Sequence, residues 1–131
     1  MSTIKIAIVD DNEEFRKAVR YFLEKVPDFA IVGEAGNGYE FIKLAQDAFI
    51  DVALVDIRMP EMDGIAATSH VTRVYYPHLK VIAVSMLNDF ENLRAMLEAG
   101  AMGYINKENI FLDMEQAIRT VTSNKYYYGL L

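Results

Sequence analysis

The chain has no cysteine. Disulfides, zinc–thiolate sites and thiol nucleophiles are therefore excluded, and a cytoplasmic setting is the expectation. No apolar run approaches the roughly 18 residues that a membrane helix needs, so no membrane partner is expected. Met1-Ser2-Thr3-Ile4-Lys5 leads directly into a strand pattern, and no signal peptide is read there. Clustered Lys and Arg are missing too. The net charge of −6 argues against this chain holding nucleic acid by itself. There is no Gly-Lys-Ser/Thr phosphate loop. Gly36-Asn37-Gly38 suggests a dinucleotide loop, but Phe41 stands where a third Gly belongs and the segment follows the second strand, so it reads as a turn. No repeat, low-complexity segment or interdomain linker is visible. At 131 residues, one domain is expected.

What the chain does have is 53% apolar residues, laid out in a regular alternation. Short apolar runs recur at Ile4–Val9, Ala30–Glu34, Val52–Val55, Val81–Val84 and Gly103–Asn106. They are too short for free-standing helices and rich in Val and Ile, as strands buried on both faces of a parallel sheet are. Between them lie helical patterns. Phe15, Val19, Phe22 and Val26 share one helix face, as do Ile110, Met114, Ala117 and Val121. Asp11 with Glu14 and Asn88 with Glu91 match capping boxes, and Asp63 precedes a third helical pattern. Pro27 and Pro77 end the first and third helices. Five βα units predict an α/β, flavodoxin-like, doubly wound (βα)5 fold with a parallel sheet in the order 2-1-3-4-5.

In such a sheet, ligands bind beyond the carboxyl ends of the strands, at the switch point of the strand order. Strand one ends in Asp10-Asp11, strand three in Asp56, strand four in Ser85 and strand five in Lys107. Three carboxylates, a hydroxyl and an ammonium therefore converge. Two like charges about 4 Å apart repel by roughly 4 kcal/mol at an effective dielectric near 20. One lysine does not balance three acids; a divalent ion does, and an all-oxygen site suits Mg²⁺. Lys and Mg²⁺ stabilise a transferring phosphoryl group, and Asp can be the nucleophile that receives it. Asp56 then attacks phosphorus, Asp11 holds the metal with Asp10 behind it, Lys107 pairs with phosphoryl oxygens and Ser85 donates to one of them. His70 and His78 lie away from these strand ends and read as surface residues. The seven methionines are mostly core filler.

At this point the sequence resembles the receiver domain of bacterial two-component response regulators along nearly all of 1–131. The resemblance rests on "IVDDN" at 8–12, "VDIRMPEMDG" at 55–64, "VIAVS" at 81–85 and "GYINK" at 103–107. It implies phosphorylation of Asp56 by a sensor histidine kinase or phosphotransfer protein. It implies Mg²⁺ held by Asp11, Asp56 and the Arg58 backbone carbonyl, with Asp10 acting through water. It implies a switch pair, Ser85 and Tyr104, in which the hydroxyl moves to the phosphoryl group and the ring turns inward, and a possible homodimer on phosphorylation. "VGEAGNG" at 32–38 and "AGAMGYINK" at 99–107 resemble the NarL/FixJ-type branch, whose output is a helix-turn-helix. DNA would then be reached only through an output domain absent from these 131 residues. Two departures stand out: Met86 occupies a position usually small, and Glu108 one that is often Pro. The residue-level alternative is a small Mg²⁺-dependent phosphohydrolase with an aspartyl-phosphate intermediate, which would want an acid two residues past Asp56, where Arg58 stands. The tail Lys125–Leu131 is apolar for a free end and predicts a continuation into an output domain.

Overall fold

The computed structural model describes residues 2–86 and 90–128. The strands are β1 (Ile4–Val9), β2 (Phe29–Ala35), β3 (Val52–Asp56), β4 (Lys80–Ser85) and β5 (Gly103–Asn106). The helices are α1 (Glu13–Leu23), α2 (Gly38–Asp47), α3 (Gly64–Val74), α4 (Phe90–Glu98) and α5 (Ile110–Thr122). All neighbouring strands are parallel, and their order is β2-β1-β3-β4-β5, as the sequence predicts.

Alternate residues of each strand feed opposite faces. Ala7, Val9, Ala53, Val55, Val81 and Ala83 pack with Phe41, Ala67, Val71 and Met96 of α2, α3 and α4. Ile6, Ile8, Val52, Leu54, Ile82 and Val84 pack with Val19 and Leu23 of α1 and with Ile110, Met114, Ile118 and Val121 of α5. The face of α5 is buried as its periodicity predicts. The α1 face is turned by one position: Val19 and Leu23 are its buried residues. Phe22 is 44% exposed and packs instead against Phe111, with ring centroids 4.7 Å apart.

The caps also correct one expectation. Asn12, and not Asp11, caps α1, accepting the Phe15 N–H at 3.1 Å. Asn37 caps α2, so Gly36-Asn37-Gly38 is a helix start as well as a turn. Asp63 caps α3 as expected, accepting the Ala66 N–H at 3.0 Å. The expected cap at Asn88 lies outside the described residues.

The segment after α5 is partly a sheet element. Tyr127 forms a parallel bridge to Gly103. Its carbonyl accepts the Tyr104 N–H at 2.7 Å, and its own N–H donates to Met102 at 3.0 Å. Tyr127 therefore docks through its main chain on the open edge of β5. Residues 129–131 of the tail lie outside the described residues.

Candidate phosphoacceptor and metal site

Asp56 is the last residue of a strand buried along its whole length. Its register opposite Val84 sets it level with the ends of β1 and β4. The chain then turns sharply. The Gly64 N–H donates to the Ile57 carbonyl at 2.8 Å, and the Gly38 N–H reaches the Met62 carbonyl at 2.9 Å. These two bonds pin the 58–63 loop between β3 and α2. Gly64 must lack a side chain, because a Cβ there would stand 2.2 Å from the Asp56 carbonyl oxygen.

Moving the cap to Asn12 leaves the Asp11 carboxylate uncommitted to α1, and Asp11 is exposed. Asp10 is 1% exposed. Its Oδ1 accepts the Asn12 N–H at 2.8 Å. Its Oδ2 is ion-paired with Lys107 Nζ at 2.7 Å. Carboxylate oxygens of Asp10, Asp11 and Asp56 all lie within 4.8 Å of one another. Burial, then the Asp10 charge, pushes the Asp56 carboxyl up to about 6 against the pull of Lys107.

These features fit a hard divalent cation. The donors are all oxygen, three carboxylates face one ammonium among the described residues, and Asp11 leaves an open side where water and phosphate oxygens can enter. Lys107 Nζ is 3.8 Å from Asp56 Oδ2, within reach of a group attached there. Ser85 is buried at the end of β4, and its hydroxyl donates to the Met86 carbonyl at 3.3 Å. Tyr104 is 4% exposed and packs among the residues under α3 and α4, so its ring is already inward. Arg58 is exposed on the loop after β3. His70 is half-buried on α3, and His78 pairs with Asp51 at the start of β3, the opposite end from the acids.

One residue the sequence reading passes over belongs here. Arg16 on α1 donates through Nη1 to the main-chain carbonyl of Asp10 and through Nε to Glu34 at 2.9 Å. No pattern within α1 marks it, because its partners lie on other elements.

The profile of the response regulator receiver domain matches residues 6–119. The chain belongs to that family. It is 35% identical over 95% of its length to the response regulator GacA of Pseudomonas syringae, and 33% identical over 93% to the transcriptional regulatory protein LiaR of Bacillus subtilis. It spans 58% and 57% of those two proteins. A LuxR-family two-component response regulator from Aurantimonas superposes with a TM-score of 0.88 at 28% identity, over 96% of this chain and 89% of that one. The molecule is thus a response regulator receiver domain, a regulatory family. Among the described residues, no helix is long and apolar enough to cross a membrane.

Proposed function

We propose that Asp56 receives the phosphoryl group and that charging depends on Mg²⁺. The observation that carries this is the grouping of Asp10, Asp11 and Asp56 oxygens within 4.8 Å around a buried strand end, with one ammonium beside them among the described residues. Asp56 Oδ attacks the phosphorus of a phosphohistidine donor. A P–O bond forms, the P–N bond breaks, and the electron pair leaves on the imidazole nitrogen. Asp11, Asp56 and the Arg58 carbonyl would hold Mg²⁺, with Asp10 acting through water; the ion would neutralise charge on the transferring oxygens. Lys107 pairs with one phosphoryl oxygen, and Ser85 turns from the Met86 carbonyl to donate to another. Tyr104, already inward, is held there more firmly once that hydroxyl has moved.

The donor is a sensor histidine kinase or a phosphotransfer protein. Its landing surface is the aromatic patch beside the site. Phe15 stands 4.3 Å from Lys107 Nζ and 6.5 Å from Phe111, and Phe22 and Leu112 continue it outward. The relatives are longer regulators, so the output is a transcriptional one through a helix-turn-helix domain, in the cytoplasm, with phosphorylation favouring a homodimer. A hydrolase would want an acid at the position of Arg58.

The test uses a small acyl phosphate with Mg²⁺ and reads intact mass. Wild type should gain one phosphoryl group and Asp56→Asn none. Incorporation in Asp56→Asn at the wild-type level overturns the assignment.

A further inference from the structure

We infer that Arg16 is a positioning residue for the metal site, acting through the main chain of Asp10. This inference rests on the Mg²⁺ reading above.

Arg16 lies one turn into α1, and its side chain is 17% exposed. One guanidinium nitrogen donates to the Asp10 carbonyl, the oxygen of the peptide that joins Asp10 to Asp11. Another donates to Glu34 Oε1 on β2 at 2.9 Å. Glu34 is held in turn by Arg20, whose Nε meets Oε2 at 2.7 Å. Burial opposes the charge on Glu34, but hydrogen bonds from Arg20 and Arg16 outweigh it and keep the carboxyl below its usual range.

The planar fork of arginine can bridge two acceptors at a fixed angle, which a lysine point charge does not do. Here the fork ties the Asp10–Asp11 peptide to the second strand. The other bond on that corner, from the Asp10 N–H to the Ala35 carbonyl at 2.9 Å, fixes the preceding peptide plane. With both planes set and the Asn12 N–H held by Asp10 Oδ1 at 2.8 Å, the main chain on either side of Asp11 is fixed, and an Asp11 carboxylate oxygen lies within 4.8 Å of one of Asp56.

The charges of this network favour a geometric role. Arg16 and Arg20 face Glu34 and Glu24, the latter 3.3 Å from Arg20. Two cations meet two anions, so the unit is neutral and does not repel a divalent ion nearby. Groups that orient metal ligands commonly change affinity by about 10–100-fold when removed.

Arg20 provides the control, because it shares Glu34 but does not touch Asp10. Mg²⁺ alone is titrated by calorimetry into wild type, Arg16→Met, Arg16→Lys, Arg20→Met and Asp11→Ala, with melting curves to verify folding. Arg16→Met should weaken Mg²⁺ about tenfold, and Arg16→Lys by about threefold or more. Arg20→Met should stay within about twofold of wild type while losing stability through the same Glu34. At saturating Mg²⁺, the acyl-phosphate rate of Arg16→Met should return to the wild-type value. Equal Mg²⁺ affinity in the Arg16 variants and wild type, or equal losses at Arg16 and Arg20, overturns the inference. If Arg16→Met does not fold, Arg16→Lys against Arg20→Met decides. If wild type binds no Mg²⁺, or Asp11→Ala binds it as tightly, the metal reading falls first and the role of Arg16 with it.

Discussion

Lys107 Nζ stands 2.7 Å from Asp10 Oδ2 and 3.8 Å from Asp56 Oδ2. Among the described residues this is the one ammonium at the cluster, and it leans toward Asp10 and away from Asp56. Asp10 is the more deeply buried of the two, so it draws the cation more strongly. Asp56 is left with burial and two neighbouring acids against a more distant lysine, and its carboxyl rises to about 6.

This has a pH signature in metal-free buffer. The folded-state pKa of Asp56 lies above its ordinary value of 3.8, so the folded state binds the proton more tightly. The resulting stabilisation is fully present below 3.8 and is lost as pH rises through about 6. Asp56→Asn has no proton to lose. It should therefore match wild type near pH 4 and exceed it at pH 8 by on the order of 2 kcal/mol. Denaturant melts at both values check this. Equal stability at pH 8 would mean that Asp56 ionises without strain.

Gly64 sets how Asp56 is held. A methyl group at Gly64 would meet the Asp56 carbonyl oxygen at 2.2 Å, and that oxygen belongs to backbone that cannot swing aside. Gly64→Ala must push α3 away from the end of β3. It should cost about 2 kcal/mol or more, and slow phosphorylation of Asp56 by small donors. Unchanged melting and rate together would show that the corner is soft.

Tyr127 gives a prediction of stability. It is half-buried against the α5 face and hydrogen-bonds through its main chain to Met102 and Tyr104. Tyr126 and Tyr128 stack on each other at 6.1 Å but are 60% and 40% exposed. Tyr127→Ala should lower stability by about 1–2 kcal/mol, and alanine at either neighbour by less than about 0.5 kcal/mol. The three melting temperatures decide it. A ranking led by Tyr126 or Tyr128 would contradict the docking.

What was legible in the sequence follows from what each signal measures. The strands stood out because a strand buried on both faces needs an unbroken run such as Val52–Val55, and the acids stood out because such a run ends abruptly at Asp56. The α1 face was misjudged at Phe22 because periodicity fixes a stripe only to within one residue, and an aromatic on the stripe's border found Phe111 outside the core. The capping box offers Asp11, but Asn12 beside it has the same capping chemistry and takes that role. Arg16 and Tyr127 left no pattern. One reaches Glu34 on β2 and the other bridges to Gly103, and a period read within one helix or strand does not record contacts between elements.

Met86 supplies a kinetic prediction. It directly follows Ser85, and its side chain is 54% exposed, where a donor and an attacking water would both approach Asp56. Methionine is long and flexible, so a side chain at this position can narrow that entrance without sealing it. Attack at phosphorus needs in-line access, and crowding on that line slows arrival and departure alike. Met86→Ala should raise the rate of phosphorylation by a small acyl phosphate and shorten the lifetime of the phosphorylated form. Both constants should be measured at saturating Mg²⁺ against wild type. A rise in both of more than about twofold, equal to about 0.4 kcal/mol of barrier, supports gating by this side chain. Smaller changes in both would leave access governed by the backbone of the strand ends alone.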